Sequence, residues 1–547
     1  MCLHPAGIEP VPEATARIAR AAFPKGNPYM TMRDELGTFF TDSDFADLYP
    51  KRGQPAFAPW RLALVTIFQF AEGLSDRQAA DAVRARIDWK YALGLELTDP
   101  GFDFSVLCEF RERLLAGGAE ERLLDRMLEH FRDKQLLKAR GKQRTDSTHV
   151  LAAIRTMNRL ERMAETLRAA LNEVASVAPD WLRSMAPPEW YERYHRRVED
   201  YRLPQAAKAR TEYGEQIGRD GLFLLKAIED QRPDLASLAG VIILKQMWDL
   251  HFSVSEKGEV HLRDPKELPK AASVIESPYD TDARHSTKHS LHWTGYKVHY
   301  SETFDEDLPH LITNVHTTVA TTQDVSSTAA IQMALFAKDL PPLLHLVDAG
   351  YVDAELLLQS RELYGIELFG PTRKDSSWQH REHGNDQSAF TVDWENKKAT
   401  CPNGKQSVGW TSYVTKPHGY PVAQMRFDKK DCDPCPQRDK CVRSNVGQPR
   451  ILTLHTQAQT EILQQTRKRV ATEEGLAEYA QRNGIEGALS QGVRRCDLRH
   501  SRYRGLAKTH LQNVVIAASL NVARAVNHLD GIPVATTRVS RFARLLA

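Results

Sequence analysis

An aspartate stands in the middle of a strand-forming run at residues 143–151, QRTDSTHVL, and a second closes the apolar run LLHLVD at residues 343–348. Short runs of β-branched and aliphatic residues read as strands. A carboxylate flanked by apolar residues on a strand is costly to hold ionised unless a partner is brought to it. A chain that places Asp146 and Asp348 this way must supply that partner. A divalent cation is one: two neighbouring strands can offer carboxylate oxygens to Mg2+ or Mn2+ and leave waters free for phosphate chemistry. Each aspartate taken singly also fits a cap or turn, as Asp353 does ahead of AELLLQ.

The segments around these runs set the fold class. Residues 1 to about 140 read as helical. GLSDRQAADAVRARIDWKYALG carries Ala79, Ala80, Val83 and Ile87 at helical spacing, with Ser75 and Gln78 forming a capping box. Helices continue over 104–115 and 120–137. Such short helices suit either a DNA-docking helix-turn-helix or a plain bundle. A long, arginine-rich helical stretch is expected over 152–232. Strands follow at GYKVHY (295–300) and HLITNVHTTV (310–319), a helix at 326–337, a strand at 343–348, a helix at 354–364 and a strand at IELFG (366–370). That order is α/β, a mixed sheet with helices on its faces. Helices return at 460–482 and 506–529. Between them, residues 376–450 are polar, rich in turn residues and sparse in residues that build a core.

Composition removes other classes. With 547 residues the chain has room for three or four domains, at about 150 residues each. Hydrophobic residues at 41% and charged residues at 26% exclude wholesale disorder and collagen-like repeats. The most apolar stretch, 62–70, is far short of the ~20 residues that span a bilayer, and MCLHPAGIEPVPEAT lacks the pattern of a secretory signal. No membrane partner and a cytoplasmic location are therefore expected. The net charge of +2 points to no partner, but residues 451–547 hold 14 Lys/Arg against 7 Asp/Glu. A basic C-terminal fifth suits a polyanion or a solvated helix surface.

Four of the seven cysteines fall in the turn-rich segment: Cys401, Cys432, Cys435 and Cys441, with one CxxC. Four thiolates so arranged suit a closed, structural tetrahedral Zn2+; free thiols or a redox pair are the alternative. Cys2, Cys108 and Cys496 are scattered, and a disulfide framework is not expected.

Near the C-terminus Tyr479, Arg482 and Glu486 are spaced three and four apart, so they share a face if one helix persists through Gly484. Arg482 could then steady phosphate oxygens bidentately. A surface Glu–Arg pair is the plainer reading. Arg494, Arg495, Arg499, Arg502, Arg504 and Lys508 form a basic ladder suited to phosphates. Arg284, Lys288 and Lys297 lie before and within a strand, where they could meet DNA phosphates or simply protect a sheet edge. His149 is expected to pack rather than react.

Over most of its length the sequence resembles the DDE transposases of bacterial insertion sequences, in the branch related to the IS-four and IS-five groups. The blocks that carry the resemblance are FPKGNPYM, AFAPWRLALVTIFQFAEGLSDRQAADAV, DFSVLCEFRERLL, RTDSTHV, DARHSTKHSLHWTGYKVHYSET, ITNVHTTVATTQD, LVDAGYVD and IEGALSQGVRRCDLRHSRYRGLAKTHLQNVVIAASLNVAR. The resemblance implies a ribonuclease-H-like core in which Asp146, Asp348 and Glu486 bind two Mg2+ (or Mn2+) ions. It implies a helical N-terminal DNA-binding or assembly domain over 1–140 and a catalytic domain over 141–547. That domain would be interrupted by a mostly helical insertion at 152–290 and the cysteine-rich, zinc-holding insertion at 376–450. Related families carry a Tyr, Arg, Glu, Lys signature; Tyr479, Arg482 and Glu486 fit its spacing. The Lys position falls on Val493, which leaves Arg494 or Arg495 as the basic contact. Glu473, Glu474 and Glu478 are rival glutamates.

The implied partners are terminal inverted repeats and target DNA, bound by a homodimer. The implied reaction is strand cleavage at element ends followed by attack of the freed 3′-hydroxyl on target DNA. A DNA-binding zinc protein with an idle triad, such as a repressor, and a metal-dependent nuclease are the competing readings.

Overall fold

The computed structural model describes residues 1–547 except 374, 417–418, 444–446, 534–540, 543–544 and 546–547, and the side chain of residue 271. The centre is a six-stranded mixed sheet. Strand β1 (Lys142–Leu151) is its axis. On one side it pairs antiparallel with β3 (Leu291–Thr303), and on the other in parallel with β5 (Leu344–Leu346). Beyond β5 lies β6 (Glu367–Phe369), also parallel; β3 further pairs with β2 (Arg284–Lys288) and β4 (Ile312–Val319), both antiparallel. Helix α8 (Val325–Ala337) and helix α9 (Ala354–Tyr364) make the crossovers to β5 and β6. This mixed α/β order is compatible with a ribonuclease-H-like core.

Two buried helices back the sheet. Helix α1 (Pro59–Glu72) begins with Pro in its first turn and stops at Gly73, whose φ of 70° completes a left-handed cap. It is buried almost all round, as a helix apolar on every face must be. It packs on α13 (Leu506–Leu529), whose central residues Val514–Leu520 are buried. The N-terminal helices therefore share one hydrophobic core with the sheet instead of forming a separate one. Within α13, Asn521 accepts from Ile312 N at 2.7 Å and donates to Ile312 O at 2.8 Å. That clip satisfies the peptide of β4 where its register against β3 slips, between Ser301 and Glu302.

Local signals held where they were short-range. Ser75 and Gln78 form the expected capping box on α2 (Asp76–Ala85), and Asp353 caps α9, accepting from Leu356 N at 2.8 Å. Two expectations are corrected. The helical stretch 152–232 is divided into α5 (Arg159–Val177), a pair of short helices and α6 (Ala207–Gln231). Pro179, Pro188 and Pro204 mark its breaks, because proline cannot continue a helix from within. Together with α7 (Ala239–His251) these helices enclose a core of their own around Leu167, Leu224 and Trp248. The helix expected over 460–482 stops at Val470 and restarts as α11 (Glu473–Ala480), capped by Thr472.

The cysteine-rich segment is also better built than its composition suggests. A three-stranded antiparallel sheet, β7 (Gly409–Val414), β8 (Pro421–Arg426) and β9 (Ile451–His455), buries Phe390, Met425, Phe427, Leu452 and Leu454. The core is small, but the segment is not a structureless polar insert.

Charge is buried under the main sheet at Glu302 of β3, which is 1% exposed. It is gripped by Arg144 of β1 and by Arg524 of α13, each with a nitrogen 2.8 Å from a carboxylate oxygen. Removing one partner of a buried ion pair leaves the others uncompensated. Glu302→Gln is expected to destabilise the protein by about 3–5 kcal/mol in urea unfolding; a loss below 1 kcal/mol would show the triad to be a surface-like pair.

Candidate active site

Asp146 and Asp348 meet because of strand register. In the parallel ladder Lys142 faces Leu344, Gln143 faces His345 and Arg144 faces Leu346. The same offset carries Asp146 opposite Asp348, just past the last paired residue. Adjacent strands stand ~4.8 Å apart, so Asp348, just past the carboxyl end of β5, comes beside Asp146, which lies mid-β1 just past the end of the parallel pairing. Crevices at such strand ends are where open α/β sheets bind ligands. Asp348 caps the turn that follows, Oδ1 accepting from Gly350 N at 2.7 Å. Asp146 Oδ1 accepts from Ser147 N at 2.7 Å.

The counter-charge comes from the C-terminal segment. Helix α11 ends at Ala480, a single tight turn covers Gln481–Asn483, and helix α12 (Gly484–Cys496) begins. Arg482, on that turn, places Nη1 2.9 Å from Asp146 Oδ2 and Nη2 3.4 Å from Glu486 Oε1. One guanidinium thus ties the first candidate acid to the third. The side chains of Arg482 and Asp146 are 12% and 16% exposed, whereas that of Glu486 is 65% exposed. Gly484 allows this approach: a Cβ there would collide with the Arg144 guanidinium. Arg144 bonds the carbonyl of Gln481 as well. Tyr479 packs its ring edge-on against Phe369, centroids 6.3 Å apart.

The electrostatics follow from this crowding. Burial raises the Asp146 pKa above the usual carboxylate range and Asp348 pushes it the same way, against the Ser147 amide and Arg482. Burial alone would lower the Arg482 pKa, but Asp146, Tyr479 and Asp348 outweigh it and the net shift is upward. Burial raises the Tyr479 pKa. The donor set is therefore hard oxygen ligands from two strands, plus an exposed glutamate, with excess negative charge. That chemistry suits Mg2+ or Mn2+, which prefer carboxylates and water, although the three acids do not bring one oxygen each within 4.8 Å of one another. Arg482 Nε is buried and has no hydrogen-bond partner among the described residues, leaving a donor for an incoming oxygen.

The basic residues expected to touch DNA divide into two groups. Lys288 and Lys508 are exposed. Arg494 is exposed and bonds only Ser490 Oγ of its own helix. Arg495 and Arg502 are exposed but lean on the N-terminal helices, through Ala71 O at 3.4 Å and Leu74 O at 2.8 Å. Arg284 is spent on the carbonyls of Ala272, Thr281 and Ala283, and Lys297 on Thr322 O at 2.7 Å and Asp324 at 3.1 Å. In both, the cation closes the fold instead of facing solvent. His149 packs against Trp293, 5.7 Å between centroids.

Sequence reasoning passed over Asp324, although TTQD precedes a helix. A Cβ on Gly350 would lie 2.9 Å from Asp348 Oδ1 and 3.4 Å from Asp324 Oδ2, so Asp324 flanks the same turn.

All four clustered cysteines are free and partly buried. Cys401, Cys432 and Cys441 pack on the small core, and Cys432 has its pKa raised by burial and by the other three thiols. The donors are those of a zinc site. Among the described residues, however, the single group of three metal-type ligand atoms mutually within 4.8 Å is Asp375, His380 and Asp386, so no three of these sulfurs are that close. In that group His380 is paired with Asp386 at 2.7 Å, and Asp375 accepts from Ser377 N at 2.8 Å.

Comparison with known families gives two matches. Residues 400–526 match the family described as Transposase DDE domain, and residues 17–113 the one described as Transposase domain (DUF772). The first span contains the four cysteines, Tyr479, Arg482 and Glu486; the second covers the helices that dock on α13. No curated protein and no solved structure matches the chain. No helix among the described residues is long and apolar enough to cross a membrane.

Because burial raises the Asp146 pKa in the folded state, the protonated form is favoured by folding; the associated stability is present at low pH and is lost as pH rises through the folded pKa. In buffer without added divalent ions, Asp146→Asn is expected to melt higher than the wild type near pH 7. The two should converge as the pH is lowered toward the unfolded carboxylate value of about 3.9. A constant difference across this range would show that Asp146 carries no such cost.

Proposed function

We propose that this chain is a DDE transposase: it cleaves DNA at the ends of a mobile element and joins the freed 3′-hydroxyl to target DNA. The observation that carries the reading is the register that aligns Asp146 with Asp348, with Arg482 bridging to Glu486. The two transposase-domain matches support it from flanking parts of the chain.

Asp146, Asp348 and Glu486 would hold two Mg2+ or Mn2+ ions, which when bound activate the attacking oxygen and stabilise the leaving one. The protein's own groups do the rest. Asp146 and Asp348 are fixed by backbone amides, so little reorganisation is needed to present their oxygens. Glu486, exposed on the first turn of α12, is the movable third carboxylate. Arg482 keeps Asp146 compensated and offers its unpaired Nε to a phosphate oxygen. Tyr479 borders that contact. Arg494, Arg495, Arg502, Lys508 and Lys288 supply a basic surface for the DNA backbone, sequence-independent and salt-sensitive. Arg284 and Lys297 would join it only by leaving their carbonyl partners. Two ends must be brought together, so the working species is a homodimer on terminal inverted repeats and target DNA, acting in the cytoplasm. Cys401, Cys432, Cys435 and Cys441 would hold a structural Zn2+ on drawing their sulfurs closer than they lie here, and it would brace the segment without taking part in the chemistry.

With an end-repeat duplex and Mg2+, Asp146→Asn, Asp348→Asn and Glu486→Gln are each expected to abolish cleavage while retaining gel-shift binding. Any variant that still cuts removes its residue from the site. Wild-type hydrolysis without joining would assign a nuclease, and binding without cleavage a regulator. For the cysteines, elemental analysis of the purified protein is expected to find one zinc per chain, lost in Cys435→Ser together with protease resistance of residues 376–450. A zinc-free wild type with the same resistance would overturn that assignment.

A further inference from the structure

The Tyr351 side chain is fully buried (0% exposed), yet its hydroxyl is tied to groups directly below the two aspartates. It lies 2.6 Å from Nδ1 of His299, a β3 residue 1% exposed. Ser147 follows Asp146 on β1 and faces His299 in the ladder. The other imidazole nitrogen points at Thr318 Oγ1 and Ser327 Oγ, both at 3.5 Å. The main chain of Tyr351 is held as well: its N–H donates to Asp348 O at 3.1 Å, and its carbonyl accepts from Thr328 Oγ1 of α8 at 2.8 Å. One residue therefore links the strand beside β1, the helix behind it and the turn carrying Asp348.

We infer that Tyr351 is a positioning residue: through its hydroxyl bond to His299 and its main-chain bonds to Asp348 and Thr328 it sets the Asp348 turn against the strand paired with β1 and so fixes the spacing of the two carboxylates. A purely packing aromatic would gain nothing from a hydroxyl buried here, since an unsatisfied one costs about 1–3 kcal/mol. Among the described residues this hydroxyl is bonded to His299, whose ladder partner Ser147 follows Asp146. The donor inventory assigns the roles: the phenol donates to Nδ1, and the imidazole proton sits on Nε2. Burial, with Asp324, Asp146 and Asp348 nearby, pushes the phenol pKa well above its usual value, so it stays a donor. Groups that orient metal-binding carboxylates without touching the ion matter because ligand geometry must precede binding.

The inference rests on Asp146 and Asp348 being metal ligands, and the test separates the two. Mn2+ binding to the full chain is measured by titration calorimetry, with cleavage kinetics in parallel. Tyr351→Phe keeps the buried ring and removes only the hydroxyl. It is expected to weaken Mn2+ binding ~10-fold or more and to lower kcat with KM for DNA unchanged. Tyr194→Phe is the control. It removes an equally buried hydroxyl, bonded to Asp220 at 2.6 Å in the helical insertion, and should leave Mn2+ affinity as in the wild type. His299→Phe cuts the same link from the other side and serves if Tyr351→Phe does not fold; it should shift Mn2+ affinity in the same direction. Wild-type Mn2+ affinity in Tyr351→Phe, or in His299→Phe where that substitutes for it, overturns the inference. Absence of any wild-type Mn2+ binding removable by Asp146→Asn overturns the metal-site reading itself, and the inference with it.

Discussion

Two carboxylates on adjacent parallel strands cannot both be ionised at low cost without a cation between or beside them. Coulomb repulsion at strand spacing and the loss of water on burial act in the same direction. The structure answers with Arg482, the cation bonded to Asp146. Much of the C-terminal architecture can be read as what it takes to deliver that guanidinium. The chain must break helix at Ala480, turn once, and restart at a glycine, because Arg144 fills the space a side chain at 484 would need. Arg144 is in turn held by Glu302, and Glu302 by Arg524 from the last long helix. The series runs from the buried centre of the sheet through Arg144 and the Gln481 carbonyl to the turn that carries Arg482.

This arrangement couples stability to the site. The Arg144–Glu302–Arg524 group is dry and satisfied, so it stabilises one relative position of β1, β3 and α13 more than it adds free energy. Asp146 lies two residues from Arg144 on the same strand, hence on the same face. A slip of one residue in β1 would carry both to the opposite face, losing the ion pairs and the Asp146–Asp348 alignment together. The alignment is thus guarded by ion pairs that include none of the three candidate acids.

What was legible in the sequence was local. The strand around Asp146, the strand ending at Asp348, the Asp353 cap and the Ser75–Gln78 box each depend on a few consecutive residues, and all are found. The Tyr479, Arg482 and Glu486 spacing was visible as well, but a shared face was conditional on a helix persisting through Gly484; a helix broken at Gln481–Asn483 is found, and the value of the spacing depends on that turn. Tyr351, His299, Arg144 and Asp324 were passed over for a different reason. Nothing near His299 in sequence distinguishes it from any other strand histidine. Its importance comes from a register that puts residue 299 opposite residue 147 and beneath residue 351. The basic residues show the converse error. Arg284 and Lys297 look available in sequence, yet the carbonyls that occupy them come from turns the strand pattern does not display.

The long gaps between the three acids are compatible with a fixed site because each large insertion closes on itself. The segment leaving β1 at Leu151 travels through more than a hundred residues before β2 begins at Arg284, and it encloses its own core. The end of β1 does not rely on it. Leu151 N donates to Arg499 O at 2.7 Å and Ser501 N to Leu151 O at 2.9 Å, so the strand is tied to the C-terminal segment before the insertion departs. The segment between β6 and α10 (Gln457–Val470) likewise has its own small sheet and core. Closure entropy grows only as the logarithm of loop length, about 0.6 kcal/mol per doubling. A self-cored insertion therefore costs the site little, provided both of its stems are pinned. Pinned stems explain how Asp146, Asp348 and the Arg482 turn that precedes Glu486 keep one arrangement although most of the intervening chain has no part in holding them.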